Sequence, residues 1–479
     1  MWGRMGIHVI IWGFSLWQWL AMIQHELLLF AGVFFLIGAL DDFAIDLSWL
    51  WLKLTGRART PELNRVALQH RELDGPAAVF IPAWQESEVI GDTIEHILTS
   101  WPHRYMRLYI GCYRNDPATI EAAMGGAKGD DRLRIVVHDE EGPTTKADCL
   151  NRLYEALRSD ERRGHFRFAC VVFHDAEDMV DPAALGLLSA TVEDGADFVQ
   201  IPVEPIVQAD SRFCGSHYCE EFAESHGKAM VVRDALGAGL PGAGVGCAVS
   251  RQALGWLDKR SAIPEQPFAS DSLTEDYELG LSVAAAGGKC RFVRARGAQD
   301  GRLIATRAYF PSTLSAVTRQ KTRWIHGIAL QGWDRVGWAG GWVESWMRAR
   351  DRRGPITAFV LLVGYVLILL AGIGWGLSGL GLAPQIILSP LLKTLLIANL
   401  VFFLWRAAWR FAFTASIYGI GEGIWAVVRI PVANVISIIA GRRAVFAYAR
   451  SLLGRGVEWD KTSHTLHPTT AGRPRARAL

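Results

Sequence analysis

The chain has 479 residues, half of them hydrophobic, and its mean hydropathy of +0.16 is high for a soluble protein. This length predicts two or three structural units. The net charge of +2 gives no electrostatic basis for a nucleic-acid partner, so none is expected.

Apolar residues are concentrated before about residue 52 and after about residue 354. The stretch 7–40 is apolar for too long, and lacks the small-residue cleavage pattern, to be a cleavable secretory signal. It predicts one membrane-spanning helix near 22–40, with a helical hairpin over 7–40 as the alternative. Tryptophans suited to a membrane interface precede this span, at Trp12, Trp17 and Trp19.

The middle of the chain has the pattern of an α/β domain. Short β-rich runs alternate with helical stretches, and the early connections are long enough for helices; the runs are 77–81, 107–112, 133–137, 169–173 and 198–201. This alternation predicts a mostly parallel sheet flanked by helices, with ligands bound beyond the carboxyl ends of its strands. The absence of a G-x-G-x-x-G or Walker sequence argues against dinucleotide and P-loop chemistry.

A cluster of carboxylates follows the fourth of these runs. Asp175, Glu177 and Asp178 come directly after an apolar strand, where mutual repulsion would raise their pKa values unless a cation is bound. Mg²⁺ or Mn²⁺ would remove that repulsion and bridge phosphate oxygens. The alternative is a solvated acidic turn in which Asp178 or Asp181 caps a helix that begins near Pro182.

A second acidic motif opens a helix at 274–278. Asp276 is a candidate general base for an attacking hydroxyl, and Glu275 would orient Asp276 or the acceptor. Acidic residues stabilise a first helical turn in any case, with Thr274 as the predicted cap, so a structural role is the alternative.

A third motif combines Gln320, Arg323 and Trp324 on one predicted helix face. Arginine grips a diphosphate with two hydrogen bonds, and a tryptophan face stacks on a sugar ring. The alternative is an amphipathic interfacial helix, which the later tryptophans favour; they are Trp333, Trp338, Trp342 and Trp346.

Two weaker signals lie between these motifs. Lys146 is placed at a predicted helix N-terminus, where it could meet a phosphate or remain a surface lysine. Four glycines would let backbone approach a ligand or would form a loose loop; they are Gly239, Gly242, Gly244 and Gly246.

Two further spans are predicted at 355–380 and 391–405. Basic residues flank the spans on the side of the middle domain, and the connector 376–390 is uncharged, so the middle domain is expected in the cytoplasm. The stretch 412–440 contains charges and a proline and is interpreted as an interfacial or re-entrant helix. The arginine-rich end at 473–477 is expected to be a solvated tail.

These motifs, in this order, resemble family-2 glycosyltransferases with the GT-A fold over about residues 76–330. The resemblance implies a nucleotide-sugar donor, with UDP as the expected nucleotide, bound by Pro82, Glu86, Asp116, Lys146 and Asp175. It implies that Asp116 contacts the base or ribose, and that Asp175 and Glu177 bind metal, with Asp178 as a further candidate ligand. It also implies that Asp276 is the base, and that Gln320, Arg323 and Trp324 form the acceptor and diphosphate site.

Segments at 38–43, 174–178, 225–228 and 459–464 are similar to the bacteriophage adsorption protein B family, whose members are inner-membrane glycosyltransferases tied to surface exopolysaccharide. The segment 459–464 is interpreted as a gating loop. Because the chain ends at Leu479, the regulatory domain that follows this segment in known members is expected to be absent.

We therefore expect four units: a membrane segment at 1–60, a cytoplasmic GT-A domain at 61–353, membrane or re-entrant helices at 354–445, and a cytoplasmic tail at 446–479. The predicted activity is inverting, metal-dependent transfer to a growing exopolysaccharide at a bacterial inner membrane, with a secretion partner. The alternatives are transfer of one sugar to a lipid-linked acceptor, and an inactive scaffold or phage-receptor component.

Overall fold

The computed structural model describes residues 10–11, 14–338, 340–383, 387–454 and 467–469. The predicted gating loop at 459–464 and the arginine-rich end at 473–477 lie outside the described residues.

The strands form one large sheet and several short pairs. Numbered in chain order, they are β1 (Ile10–Ile11), β2 (Phe14–Ser15), β3 (Glu62–Leu63), β4 (Ala77–Pro82), β5 (Met106–Tyr113), β6 (Leu133–His138), β7 (Cys170–Phe173), β8 (Phe198–Gln200), β9 (Val203–Pro205), β10 (Cys247–Ser250), β11 (Cys290–Phe292), β12 (Arg296–Gly297) and β13 (Thr306–Ala308). The large sheet has the order β11-β8-β10-β7-β4-β5-β6. Its neighbours pair in parallel except at β10, which is antiparallel to β7 and β8.

The α-helices, in the same order, are α1 (Leu16–Leu54), α2 (Arg65–Gln69), α3 (Ile90–Ser100), α4 (Pro117–Ala127), α5 (Lys146–Gly164), α6 (Ala184–Glu193), α7 (His217–Glu224), α8 (Met230–Ala235), α9 (Arg251–Arg260), α10 (Glu275–Ala285), α11 (Leu314–Trp324), α12 (Gly332–Val336), α13 (Trp342–Arg352), α14 (Gly354–Gly379), α15 (Pro390–Tyr418), α16 (Ile420–Val428) and α17 (Ile430–Leu452). A 3₁₀ turn covers Ala209–Ser211, and π-helical turns cover Ser225–Ala229 and Ile325–Gln331.

Apolar cores cover both faces of the large sheet. Helices α3, α4 and α6 pack on one face, and α5, α9 and α10 pack on the other. Strand β4 is apolar along its whole length because its side chains are buried on both faces. The predicted strands are confirmed with small shifts at their ends, and so is the mostly parallel α/β architecture.

Four of the described helices are long and apolar enough to cross a membrane, by length and composition: Trp17–Leu54, Gly354–Gly379, Pro390–Tyr418 and Ile430–Leu452. The chain is therefore a membrane protein. The first helix begins at Leu16 and continues to Leu54, so it contains the predicted span 22–40 and extends beyond it, whereas the helical-hairpin alternative is wrong.

The first helix continues through Asp41, Asp42 and Asp46 because other parts of the chain satisfy these carboxylates. Arg353 Nη1 donates to Asp41 at 2.8 Å, and Arg350 Nη2 donates to Asp42 at 2.9 Å. The indole N–H of Trp405 donates to Asp46 Oδ2 at 2.8 Å. Charges that are paired within protein do not force a helix to end.

The third span is also longer than expected, because α15 continues beyond residue 405 to Tyr418. With 29 residues it extends about 43 Å, more than the hydrocarbon core of a bilayer. Its last turns contact the α/β domain: Arg406 pairs with Glu224 at 2.9 Å, and the Tyr418 hydroxyl donates to a backbone carbonyl of β9 at 2.7 Å.

Helix α17 contacts the α/β domain along much of its length. Ile436 packs with Val317 of α11, Arg443 donates to Thr318 at 3.3 Å, and Tyr448 donates to Asp334 at 2.6 Å. The stretch 412–440, predicted as one interfacial or re-entrant helix, is instead divided among the end of α15, the short helix α16 and the first half of α17, and the length and composition of α17 would allow it to span.

The π-helical turn Ser225–Ala229 joins the α/β domain to the membrane helices. Lys228 is buried and pairs with Glu224 at 2.7 Å and with Asp46 of α1. A Cβ atom on Gly227 would lie 2.6 Å from the ring of Phe413, so only glycine allows α15 to approach this closely. Segment 225–228 contacts α1 at Asp46 and Trp49, whereas Asp41 and Asp42 of segment 38–43 pair with Arg350, Arg353 and Arg406.

Candidate active site

One pocket lies at the carboxyl edge of the large sheet and encloses about 1230 Å³ of open space, including its mouth. It gathers side chains from all the predicted motifs. All the predicted site residues except Asp116 line it: Pro82, Glu86, Lys146, Asp175, Glu177, Asp178, Glu275, Asp276, Gln320, Arg323 and Trp324. The pocket lies beyond the ends of β4, β5 and β7, as expected for a parallel sheet.

Lys146 connects two of the acidic motifs. Its ammonium donates to Asp175 Oδ1 at 2.5 Å and lies 3.8 Å from Glu275 Oε1. Thr145 forms a capping box with Asp148 and so starts α5 with Lys146 as its first residue. Burial alone lowers the pKa of Lys146, but Asp175, Glu275 and Asp276 outweigh it and raise the pKa, so Lys146 stays charged.

The loop after β7 directs its carboxylates in different directions. Asp175 and Glu177 are half-buried and line the pocket. Asp178 is buried; its Oδ2 lies 2.8 Å from Nδ1 of His174 and accepts the backbone N–H of Asp175 at 3.1 Å. This oxygen is occupied in holding the loop, and the role of Asp178 as a metal ligand stays a prediction. The sequence showed only that three carboxylates are adjacent, not which way each one points.

Helix α10 places Glu275 and Asp276 in its first turn. Burial, reinforced by the charge of Asp276, raises the pKa of Glu275 to about 7. Burial also raises the pKa of Asp276, while the Lys146 ammonium opposes that shift. Thr274 stands at the cap position, but its side chain makes no capping hydrogen bond, so the predicted cap is wrong in that respect.

The glycine-rich loop at 242–246 packs directly against Asp276. A Cβ atom on Gly244 would lie 2.5 Å from Asp276 Oδ2, and the φ angle of Gly244 is +80°. A Cβ atom on Gly242 would lie 2.6 Å from the carbonyl oxygen of Asp276. The glycines therefore allow close approach to the candidate base, whereas the sequence indicated approach to a ligand or a loose loop.

Helix α11 presents Gln320, Arg323 and Trp324 to the pocket, as their i, i+3, i+4 spacing predicted. Within the described part of the chain, no carboxylate lies within ion-pair distance of Arg323. A half-buried guanidinium that lacks such a partner can bind an anion from solution.

Asp116 does not line the pocket. Its Oδ2 accepts the backbone N–H of Gln85 at 2.6 Å, and its Oδ1 accepts that of Thr119 at 3.4 Å, which caps α4. The structure thus gives Asp116 a backbone-holding role at the ends of β4 and β5, and its contact to a base or ribose stays a prediction.

Comparison with known proteins identifies the family. The model of glycosyltransferase-like family 2 matches residues 75–327, which contain β4 to β13 and the whole pocket. The chain belongs to this family. The pocket is therefore the candidate active site of a domain of this family.

Two relatives match nearly the whole chain. The chain is 33% identical over 470 residues to bacteriophage adsorption protein B of Escherichia coli strain K12, and equally identical to bacteriophage N4 adsorption protein B of Escherichia coli O157:H7. The alignment covers 93% of this chain but 62% of each relative, so the chain spans about three fifths of their length.

Among solved structures, the transferase is similar to the mannosyltransferase PcManGT from Pyrobaculum calidifontis, which was solved in complex with GDP-Man and Mn²⁺. The TM-score is 0.52 at 14% identity, and the match covers 85% of this chain and 98% of that one. At this identity the similarity concerns the fold alone, and it agrees with the GT-A architecture.

A divalent cation is compatible with the composition of the transferase pocket. Six carboxylates line it and two cationic side chains, Lys146 and Arg323, face them. No group of three or more potential ligands that could hold a metal ion is formed among the described residues. Mg²⁺ is usually held by one or two carboxylates together with substrate phosphates, so Asp175 and Glu177 fit a cation that binds with the donor.

Several aromatic residues besides Trp324 line the pocket and were given no role from the sequence. Trp84 and Tyr113 lie at the ends of β4 and β5, with ring centroids 5.1 Å apart, and Phe222, Tyr309 and Phe310 line the side near Trp324. They share no spacing pattern, so only the positions of Trp84 and Tyr113 at the ends of predicted strands gave a signal.

Proposed function

We propose that this transferase moves a sugar from a UDP-linked donor to a growing exopolysaccharide at the cytoplasmic face of a bacterial inner membrane, with inversion at the anomeric carbon. The observation that carries the proposal is the bridge from Lys146 to Asp175 and Glu275 in a pocket that Arg323 and Trp324 also line. Motifs from separate parts of the chain meet there and supply the charged side chains that are needed to bind a nucleotide-sugar and its acceptor.

The orientation follows from the distribution of basic residues. Lys53, Arg57 and Arg59 follow the first span, and further arginines precede α14, while the connector 376–390 carries no charge. By the positive-inside rule the α/β domain faces the cytoplasm, where nucleotide-sugars are made, and the product leaves through the bilayer to a secretion partner.

The donor occupies the side of the pocket formed by the ends of β4 and β5. Pro82, Glu86, Lys146 and Asp175 surround the nucleotide diphosphate, with Asp116 holding the backbone of this side in shape. Asp175 and Glu177 would hold Mg²⁺ or Mn²⁺, which neutralises diphosphate charge. Lys146 already supplies one positive charge at the same carboxylate.

In the transfer step, Asp276 accepts the proton of an acceptor hydroxyl. The hydroxyl oxygen forms a bond to the anomeric carbon as the bond from that carbon to the diphosphate oxygen breaks, and the nucleoside diphosphate leaves with the electron pair. Arg323 neutralises the charge that develops on the leaving diphosphate, and Trp324 stacks on the acceptor sugar.

The test is nucleoside-diphosphate release from membranes containing the full chain, given a panel of UDP- and GDP-linked sugars with Mg²⁺ or Mn²⁺. GDP-mannose belongs in the panel because PcManGT was solved in complex with it. We expect release with a UDP-sugar, and a decrease of about 100-fold or more in Asp276→Asn, since a general base contributes at least that factor. Asp131→Asn, at an exposed aspartate outside the pocket, should leave the rate unchanged.

Near-normal turnover by Asp276→Asn would refute the base assignment. Product sizing separates the remaining functions: a long polymer supports exopolysaccharide synthesis, whereas a single added sugar indicates a lipid-linked acceptor. If no donor gives release and calorimetry shows no metal-dependent binding of UDP, the scaffold function is the one that remains.

A further inference from the structure

Helix α7 stands between the candidate acceptor site and the membrane helices. Tyr218 and Glu221, three residues apart, face α11, whereas Glu220 and Glu224, four residues apart, face α15 and the start of α17. These spacings place the two pairs on different sides of one helix.

On the side of α11, Tyr218 holds Gln320. The Tyr218 ring is fully buried and does not line the pocket, and its hydroxyl donates to Gln320 Oε1 at 2.6 Å. Because this oxygen accepts from Tyr218, the amide N–H groups of Gln320 are the atoms left for the pocket. The same ring has its centroid 6.0 Å from that of Trp324, at 81°, and lies below the Lys321 ammonium at 5.2 Å.

On its other side, α7 is fixed to the membrane helices by buried charges. Glu220 pairs with Arg429 at 2.8 Å, and neither side chain is exposed. Glu224 pairs with Arg406 of α15 at 2.9 Å. The membrane helices therefore fix the position of α7. The hydrogen bond from Tyr218 to Gln320 in turn connects α7 to α11.

We propose that Tyr218 is a positioning residue for sugar transfer: it fixes the Gln320 amide so that its N–H donors face the acceptor oxygens. The inference rests on the proposed function, because it concerns the acceptor side of that site. Tyr218 touches neither substrate, and its effect reaches the reaction only through Gln320 and Trp324.

The first test compares Tyr218→Phe with Tyr109→Phe in membranes containing the full chain, using the donor that the wild type accepts. Both rings are buried, and the Tyr109 hydroxyl donates to Asp160 at 2.7 Å in a region away from the pocket. We expect Tyr218→Phe to lower sugar incorporation about tenfold while the calorimetric affinity for UDP with Mn²⁺ stays within about twofold. Tyr109→Phe should change neither, and thermal unfolding midpoints show that both variants fold.

Two further variants separate positioning from general stability. If Tyr218 acts through Gln320, the double variant Tyr218→Phe/Gln320→Ala should be no less active than Gln320→Ala alone. Gln320→Glu keeps an acceptor for the Tyr218 hydroxyl but has no N–H donors, so it should be as impaired as Gln320→Ala.

Unchanged incorporation in Tyr218→Phe, additive losses in the double variant, or full activity in Gln320→Glu would each overturn the inference while leaving the proposed function standing. A wild type that releases no nucleoside diphosphate and does not bind UDP would refute the proposed function, and the inference with it.

Discussion

Lys146 shows how a single residue sets the charge balance of the site. It is the only cationic side chain within ion-pair distance of the described pocket carboxylates of both acidic motifs. Because Lys146 stays charged, it offsets the repulsion between the carboxylates of Asp175 and Glu275 before any substrate binds. An arriving diphosphate would therefore meet a lysine that is already positioned by carboxylates.

A buried histidine contributes to the acid sensitivity of the α/β domain. His226 accepts the backbone N–H of Val203 through Nδ1 at 2.9 Å, and burial lowers its pKa to about 4, with the charge of Arg294 adding to the effect. An unfolded chain would bind a proton at this histidine below about pH 6.5, whereas the folded chain stays neutral until about pH 4. Stability is therefore lost as the pH falls through this window, by about 1.4 kcal/mol per pH unit.

We predict that His226→Asn, which retains an acceptor but does not titrate, is less sensitive to acid than the wild type. The measurement is the unfolding free energy of detergent-solubilised protein at pH 7.5 and 5.5, where the wild type should lose about 1 kcal/mol more than the variant. His165→Asn, at an exposed histidine that ends α5, serves as the control and should follow the wild type. Equal losses in His226→Asn and wild type would contradict the prediction.

At the level of elements, the position of a candidate catalytic group depends on a loop as well as on its helix. The helix α10 begins at Glu275 as the acidic pattern predicted, but the loop at 242–246 fixes how closely the chain approaches Asp276. The left-handed φ of Gly244 and its contact with Asp276 Oδ2 make this loop part of the wall behind the candidate base.

We predict that Gly244→Ala impairs catalysis, whereas Gly237→Ala affects stability only. Both glycines have positive φ angles, +80° and +69°, so alanine costs about 1 kcal/mol of strain at either position. A Cβ atom on Gly237 meets nothing within 4 Å, but on Gly244 it would displace Asp276. Nucleoside-diphosphate release should fall about tenfold or more in Gly244→Ala alone, since small displacements of a base are costly; equal rates in the two variants would show that strain is the whole effect.

At the level of the whole molecule, buried ion pairs join the α/β domain to the membrane helices. Glu220 and Arg429 are both fully buried and come from α7 and from the residue that precedes α17. A charge left without its partner in such surroundings is strongly destabilising, whereas an exposed pair contributes little.

We predict that Arg429→Met lowers the unfolding free energy by about 3 kcal/mol, and that adding Glu220→Gln recovers part of the loss. The control is Lys128→Met, which breaks a pair with Glu95 whose side chains are 66% and 51% exposed and should cost less than about 1 kcal/mol. Denaturant midpoints in detergent provide the measurement. A similar loss in Arg429→Met and Lys128→Met would show that the junction is not held by this pair.

Local patterns were sufficient to predict five of the seven strands of the large sheet, whereas β10 and β11 were not predicted. These five strands, the helix that begins near Lys146 and the shared face of Gln320, Arg323 and Trp324 follow from hydrophobic runs and helical spacing, which act over a few residues. The apolar composition of α14 likewise predicted its bounds to within one residue.

What the sequence determined by itself was therefore the order of the elements and the motifs placed at their ends, because these depend on neighbours along the chain. The tertiary structure decided that Asp178 turns towards His174, that Gly244 packs on Asp276, and that Tyr218 holds Gln320. It also decided that α1 and α15 continue past their charged residues. Except for the contact of Asp178 with His174, which spans four residues, each of these outcomes depends on a partner far away in the chain, and a linear pattern does not contain the identity of that partner.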